Sequence, residues 1–209
     1  MYRNAIFDWS GTLNNNTPGF FYAINHICAA KGRPPIPIDE IRREFDVPYM
    51  EFWARYIPEL TKAEQDRLFV EAMSKAPKPD IHPGVKDSLT RLKNHQVKLF
   101  LVSSDHAPTL IPEAERFGVK GLFDGIYTSV HDKGKGLLQV IADHGLDPAQ
   151  TLYVGDLTGD IYAAKEARVL GVGITWGIHT EEKLRTAGAG KIIHSISELE
   201  QTVDFVPLS

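Results

Sequence analysis

Arg3-Asn4-Ala5-Ile6-Phe7-Asp8-Trp9-Ser10-Gly11-Thr12-Leu13 is the stretch on which the fold turns. Ala5 to Phe7 is an apolar run of strand length, and Gly11-Thr12 behind it is a turn signal. Asp8 therefore stands at the end of a strand, aimed out of a sheet edge where a phosphoryl group can come within reach. Taken alone, an aspartate there is equally a turn former. Two residues on, where a second acid would complete a nucleophile and proton-donor pair, the chain has Ser10.

Beyond this strand the pattern changes character twice. Asn14-Asn15-Asn16 is polar and turn-prone, and Thr17-Pro18 reads as an N-cap followed by proline at the first helical position. From there to about Lys75 the periodicity is helical, with Phe21, Ile24, Ile27 and Cys28 on one face and Ile41 a turn from Phe45. Ala76-Pro77-Lys78-Pro79 ends this block with a stiff linker. Downstream, strand and helix alternate. The pattern predicts strands over 97–102, 151–154, 172–175 and 191–193. It predicts helices over 137–144, 159–167, 182–187 and 197–203. Pro108 and Pro112 leave the helix after Val102 hard to place. Such alternation implies right-handed crossovers and a parallel sheet covered on both faces, with a helical block inserted after the first strand.

Composition narrows the classes. At 209 residues the chain can bury a sizeable core but is too short for two full-sized domains. A formal charge of −4 offers no basic excess for nucleic acid. The longest apolar runs, such as Leu99-Phe100-Leu101-Val102, are of strand length, so no membrane span is expected. The N-terminus lacks a signal-peptide pattern, and the one cysteine, Cys28, cannot form an internal disulfide; both favour the cytoplasm. Cys28 is expected to be buried on a helix face.

In open parallel sheets the ligand lies beyond the carboxyl ends of the strands. Four polar groups follow strands here. They are Asp8; Ser103-Ser104; Lys133 or Lys135 at the start of a helix; and Asp156 and Asp160, which straddle a strand-to-helix turn in Gly155-Asp156-Leu157-Thr158-Gly159-Asp160. Each has an ordinary reading as turn former, strand-end hydroxyl, surface cation or helix cap. Their order, each at a strand end, is what those readings leave unexplained. A hard cation such as Mg²⁺ takes oxygen ligands from one or two carboxylates and leaves the rest to water and substrate phosphate.

That order resembles the haloacid-dehalogenase-like superfamily over essentially the whole chain. Asp8-Trp9-Ser10-Gly11-Thr12-Leu13 looks like its first motif, Leu101-Val102-Ser103 its second, Lys133 its third, and Gly155-Asp156 to Asp160 its fourth. His82-Pro83-Gly84-Val85, Leu152-Tyr153-Val154-Gly155-Asp156 and Trp176-Gly177 are similar to the phosphoglycolate-phosphatase-like branch, which carries a helical cap between the first two motifs. The resemblance implies an α/β, Rossmann-like core of residues 1–15 and 81–209 with an all-helical cap of residues 16–80. It implies a Mg²⁺-dependent phosphohydrolase acting on a small phosphorylated metabolite, with no nucleic-acid or membrane partner. Asp8 would be the nucleophile, forming an aspartyl-phosphate. Mg²⁺ would be held by Asp8, the backbone carbonyl of Ser10, Asp156 and Asp160. Thr12, Ser103, Ser104 and Lys133 would hold the transferring oxygens, Lys133 being preferred to Lys135 on spacing.

Ser10 departs from the family's pattern, in which that position is an aspartate that protonates the leaving oxygen and then activates water. Such help is typically worth about 10²–10⁴-fold, so a slow or specialised enzyme is expected. His106 is a candidate replacement donor. The first motif also resembles phosphonoacetaldehyde hydrolases, which need a cap lysine for a Schiff base; Pro37 stands where that lysine would be, with Lys31 nearby. A non-catalytic descendant that binds a metabolite or a protein is the remaining alternative. In the cap, Arg42, Arg43, Arg55, Tyr49, Trp53 and Tyr56 are candidates for substrate contact, although aromatic residues at helical spacing also serve as core.

Overall fold

The computed structural model describes residues 2–46 and 48–203. Six parallel strands form one sheet in the order β5-β4-β1-β6-β7-β8. They are β1 (Asn4–Phe7), β4 (Lys98–Val102), β5 (Gly125–Tyr127), β6 (Thr151–Gly155), β7 (Leu170–Ile174) and β8 (Lys191–Ile193). β1 lies between β4 and β6, and its register sets Phe7 beside both Leu101 and Val154. The residues that follow these three strands therefore emerge side by side on one edge.

Side chains alternate across this sheet, as the two-residue period of a strand requires. Phe7, Leu101, Val154 and Ile174 face α5 (Val85–Asn94) and α6 (Ala107–Arg116). Ile6, Phe100, Val102 and Tyr153 face α7 (Lys133–His144) and α8 (Thr158–Glu166). Burial of each large apolar side chain contributes about 1.5–3 kcal/mol, which is why the strands read as continuous apolar runs. α9 (Glu181–Thr186) closes the far edge, with Leu184 on Ile161.

Between β1 and α5 lies a unit of four helices with its own core: α1 (Thr17–Ala30), α2 (Ile38–Glu44), α3 (Tyr49–Tyr56) and α4 (Lys62–Lys75). Ile24, Ile27, Cys28, Ile41, Phe52, Trp53 and Leu68 are buried together. Phe45 joins them edge-on to Phe20 and Phe52, with ring centroids 4.8 and 5.6 Å apart. Cys28 is buried, as expected.

Several elements differ from the sequence reading. Asn14–Asn15, read as a plain linker, is a short strand β2, paired antiparallel with β3 (Asp80–Ile81); the two connections to the helical unit are thus stitched together. Thr17 is the first residue of α1 and Asn16 precedes it without a side-chain cap bond, so Thr17 is not the N-cap. α6 tolerates Pro108 in its first turn and contains Pro112, whose missing N–H removes one ladder bond. The terminal helix over 197–203 is instead a 3₁₀ segment, Ile196–Gln201. β5 escaped notice because it is a three-residue, half-buried edge strand. Among the described residues no helix is long and apolar enough to cross a membrane.

Candidate active site

Asp8 leaves β1 with its backbone N–H donating to Val154 O at 2.9 Å. The chain then turns tightly: the Trp9 carbonyl accepts from the N–H groups of Thr12, Leu13 and Asn14 at 2.9–3.2 Å. Gly11 sits at φ +77°, and a Cβ there would lie 2.5 Å from Asp156 Oδ2. Glycine is needed on both counts, left-handed backbone and close approach.

This turn brings Asp8 against the ends of β6 and α8. Asp8, Asp156 and Asp160 are all buried, and one carboxylate oxygen from each lies within 4.8 Å of the others. Lys133, at the first position of α7, extends its ammonium to Asp8 Oδ2 at 2.8 Å and Asp160 Oδ1 at 2.6 Å. Asp160 also accepts from the Tyr153 hydroxyl at 3.0 Å and the Leu157 N–H at 2.9 Å. Asp156 accepts from the Ile178 N–H at 2.7 Å and the Thr12 hydroxyl at 3.3 Å. Of the two candidate lysines, Lys133 enters this cluster; Lys135 is exposed and pairs with Asp132 at 2.8 Å.

Three buried carboxylates face one ammonium, and the charges answer to that imbalance. Burial, with Asp160 and Asp156 adding to it against the pull of Lys133, raises the Asp8 carboxyl to about 8. Burial and Asp160 raise Asp156 to about 7. Burial opposes the charge on Lys133, yet Asp160 and Asp8 hold its pKa well above the ordinary value. An all-oxygen donor set carrying excess negative charge fits a hard divalent cation such as Mg²⁺, which relieves the repulsion that otherwise forces protons onto these groups.

Other expected residues are placed differently. Thr12, expected at the phosphate, is fully buried and directs its hydroxyl to Asp156. Ser103 is buried at the end of β4, whereas Ser104 is exposed on the following turn. Ser10 faces a second cluster. Its hydroxyl donates to Asp105 Oδ2 at 2.6 Å and accepts from Asn16 Nδ2 at 2.8 Å. The Ser103 hydroxyl donates to the same Asp105 oxygen at 3.0 Å. The sequence reading missed Asp105, although it stands two residues after Ser103. His106, the residue considered as a proton donor, is exposed with its ring nitrogen 3.0 Å from Ser129 Oγ.

The helical unit touches this edge through its α2–α3 connection. Phe45 O accepts from His179 Nε2–H at 2.9 Å and from Lys183 Nζ at 2.5 Å. Lys183 also pairs with Asp46 at 3.1 Å, and the Thr158 hydroxyl donates to Asp46 Oδ1 at 2.9 Å. Arg42 donates to Thr175 O at 3.0 Å. Arg43 is exposed, and Arg55 pairs with Glu44 at 2.5 Å on the surface. Trp53 belongs to the helical core, while Tyr49 and Tyr56 donate to Asp66 and Glu40.

Known proteins are similar to this chain over nearly its whole length. A phosphoglycolate phosphatase of Synechococcus elongatus is 29% identical over 208 residues, covering 95% of each chain. One from Chromobacterium violaceum is 27% identical, covering 94% of each. Among solved structures, a haloacid dehalogenase-like family hydrolase from Streptococcus pneumoniae superimposes with a TM-score of 0.75 at 22% identity, covering 96% of this chain and 98% of that one. A haloacid dehalogenase-like protein from Agrobacterium tumefaciens reaches 0.80 at 21% identity, covering 97% of each. These two likenesses establish the fold. Residues 5–174 match the family model for haloacid dehalogenase-like hydrolase, and the chain belongs to that family.

Proposed function

We propose that this chain is a Mg²⁺-dependent phosphatase of the cytoplasm that acts on a small phosphorylated metabolite of the phosphoglycolate type, with Asp8 as nucleophile. The observation that carries this reading is the convergence of Asp8, Lys133, Asp156 and Asp160 at the ends of β1 and β6. The names borne by the full-length relatives support the substrate class.

Asp8 attacks phosphorus, displaces the ester oxygen and becomes an aspartyl-phosphate, so one difficult displacement is split into two. Lys133 holds Asp8 and balances the charge that gathers on the phosphoryl oxygens, with the Ser103 hydroxyl near the same sheet edge. Asp8, Asp156, Asp160 and the Ser10 carbonyl would hold Mg²⁺, which supplies charge neutralisation on the phosphoryl group when bound. The helical unit (residues 16–80) serves as a cap that excludes water and selects the substrate, joined to the core (residues 1–15 and 81–209) by the β2–β3 ribbon. Lys31, the amine a Schiff-base mechanism would need, pairs instead with Glu64 at 3.2 Å, which supports phosphate-ester over carbon–phosphorus chemistry.

The test is a panel of phosphate esters that includes phosphoglycolate, run with Mg²⁺ and with EDTA. Turnover is expected with Mg²⁺ alone, together with acid-stable label on the wild type that Asp8→Asn abolishes. Near-normal turnover by Asp8→Asn would refute the assignment.

A further inference from the structure

The helical unit does not pack solid. Among α1, α3, α4 and the end of α2 it leaves a cavity of about 210 Å³, walled by Phe20, Ile24, Phe45, Trp53 and Phe69. Phe20 meets Phe45 and Phe69 edge to face, with ring centroids 4.8 and 6.5 Å apart. Walls of this kind suit a further ring, because offset and edge-to-face aromatic pairs gain more than their buried area alone supplies. An apolar cavity of about 150 Å³ already takes a benzene ring, so this one has room for a ring with a small substituent.

One wall is polar. Gln65 shares a face of α4 with Leu68 and Ala72, lines the cavity and is only 7% exposed. Its side-chain amide makes no hydrogen bond to any described residue. Buried polar groups are as a rule paired, and an amide held out of water alone costs free energy. The same unit follows that rule at Asn25, whose amide donates to Ile36 O at 3.3 Å and accepts from the Ile36 N–H at 2.8 Å. Gln65 instead offers the cavity an N–H donor and a carbonyl acceptor. The other polar groups of the lining are engaged: Tyr49 Oη donates to Asp66 at 3.1 Å, and Asp66 pairs with Lys62. Among the described residues no lysine, arginine or histidine lines the cavity, so nothing there recognises an anion.

We infer that this cavity is a binding site for a neutral molecule of one aromatic ring, bearing a carboxamide or similar group that both donates and accepts hydrogen bonds. The ring packs among Phe20, Phe45 and Phe69, and its substituent pairs with the Gln65 amide through one hydrogen bond in each direction. Phe45 also joins the helical unit to the core, since its carbonyl accepts from His179 and Lys183. The ligand therefore rests on the segment that docks one unit on the other. The site uses no residue of the carboxylate cluster, so it goes beyond the phosphatase reading and does not depend on it.

The experiment is a chemical-shift titration of the full chain with benzamide, toluene and benzoate, for wild type, Gln65→Leu and Phe69→Trp. Wild type should bind benzamide with a Kd of about 1 mM or tighter, toluene more weakly, and benzoate at least about tenfold more weakly than benzamide. Gln65→Leu keeps the side-chain volume and removes both hydrogen bonds. Benzamide affinity should then fall about tenfold while toluene affinity rises, which inverts their order. Phe69→Trp narrows the cavity and should weaken both by about tenfold or more. No benzamide binding to wild type at about 10 mM overturns the site. A benzamide-to-toluene ratio that Gln65→Leu leaves unchanged also overturns it, because a purely structural glutamine would give that result. Benzoate binding as tightly as benzamide overturns the neutral ligand class. If Gln65→Leu loses its folded circular dichroism, Phe69→Trp decides: unchanged benzamide affinity overturns the site, and the tenfold loss supports it.

Discussion

The Lys133 ammonium stands between Asp8 and Asp160, 2.8 and 2.6 Å from their carboxylates, and thus couples the first strand of the chain to the α8 turn. Lys133→Met keeps most of the side-chain volume and removes the charge. Removing the ammonium leaves Asp160 without its buried ion-pair partner, which costs about 3–5 kcal/mol in the metal-free protein. Without the ammonium the phosphoryl charge also loses a fixed partner, so turnover should fall by about 10²-fold or more. Denaturant melts in EDTA and steady-state rates with Mg²⁺ measure the two effects. A variant with wild-type rates would remove Lys133 from the site.

Metal-free protein should lose stability as pH rises through neutrality. Unfolded aspartates ionise near 3.8, whereas burial and mutual repulsion keep Asp156 protonated to about 7 and Asp8 to about 8. Between these values the folded chain binds more protons, so its stability is full at the acid end of the interval and falls with rising pH. From about 6.5 to 8 these carboxylates dominate. Melting temperatures in EDTA should therefore decline across that interval, and saturating Mg²⁺ should flatten the decline because the cation takes the protons' place. A metal-free melting temperature that rises from pH 6.5 to 8 would contradict the charge balance described for the cluster.

Gly177 is expected to be intolerant of any side chain. A Cβ there would fall onto Asp156 Cβ and within 2.5 Å of its Oδ2. Gly177→Ala should push Asp156 off the Ile178 N–H and weaken Mg²⁺ binding by about tenfold or more, since a direct oxygen ligand is displaced. Titration calorimetry with Mg²⁺ reads this directly, and an unchanged affinity would show that Asp156 is not a ligand.

How much of this was legible depended on range. Asp8, Asp156 and Lys133 stand beside local signals, an apolar strand before or a helix start after, and these survive in one dimension. The bond of the Thr12 hydroxyl to Asp156 was not legible because its partner lies 144 residues away, and nothing around Thr12 shows that its hydroxyl turns inward. Asp105 was overlooked for the same reason: in Ser103-Ser104-Asp105-His106 it reads as an ordinary loop acid, and its bond to Ser10 spans 95 residues. The β2–β3 ribbon offered two residues per strand, too few for a two-residue period to show. His179 carried no local signal of its role, since the backbone groups it bonds, Thr158 N–H and Phe45 O, come from elements distant in sequence.

Those partners make His179 the residue to perturb at the cap–core junction. The Thr158 N–H donates to Nδ1 at 2.9 Å, which leaves the ring proton on Nε2 for Phe45 O. Burial, with nearby Lys183 adding to it, lowers this imidazole to about 4 from an ordinary 6.5. Because the fold holds it neutral, its contribution to stability is present above about 6.5 and is lost as pH falls toward 4. His179→Ala leaves a buried N–H without its acceptor, at a cost of about 1–3 kcal/mol at neutral pH. The same change should shallow the acid limb of the stability profile, although His82, also lowered to about 4 by burial, retains part of it. Lys183→Ala removes a half-exposed ion pair to Asp46, worth about 0–1 kcal/mol, and should leave the acid limb in place. Denaturant melts of the three proteins from pH 4 to 8 separate the two contacts. Should Lys183→Ala cost more than His179→Ala and flatten the acid limb, the junction would depend on the ion pair rather than on the imidazole.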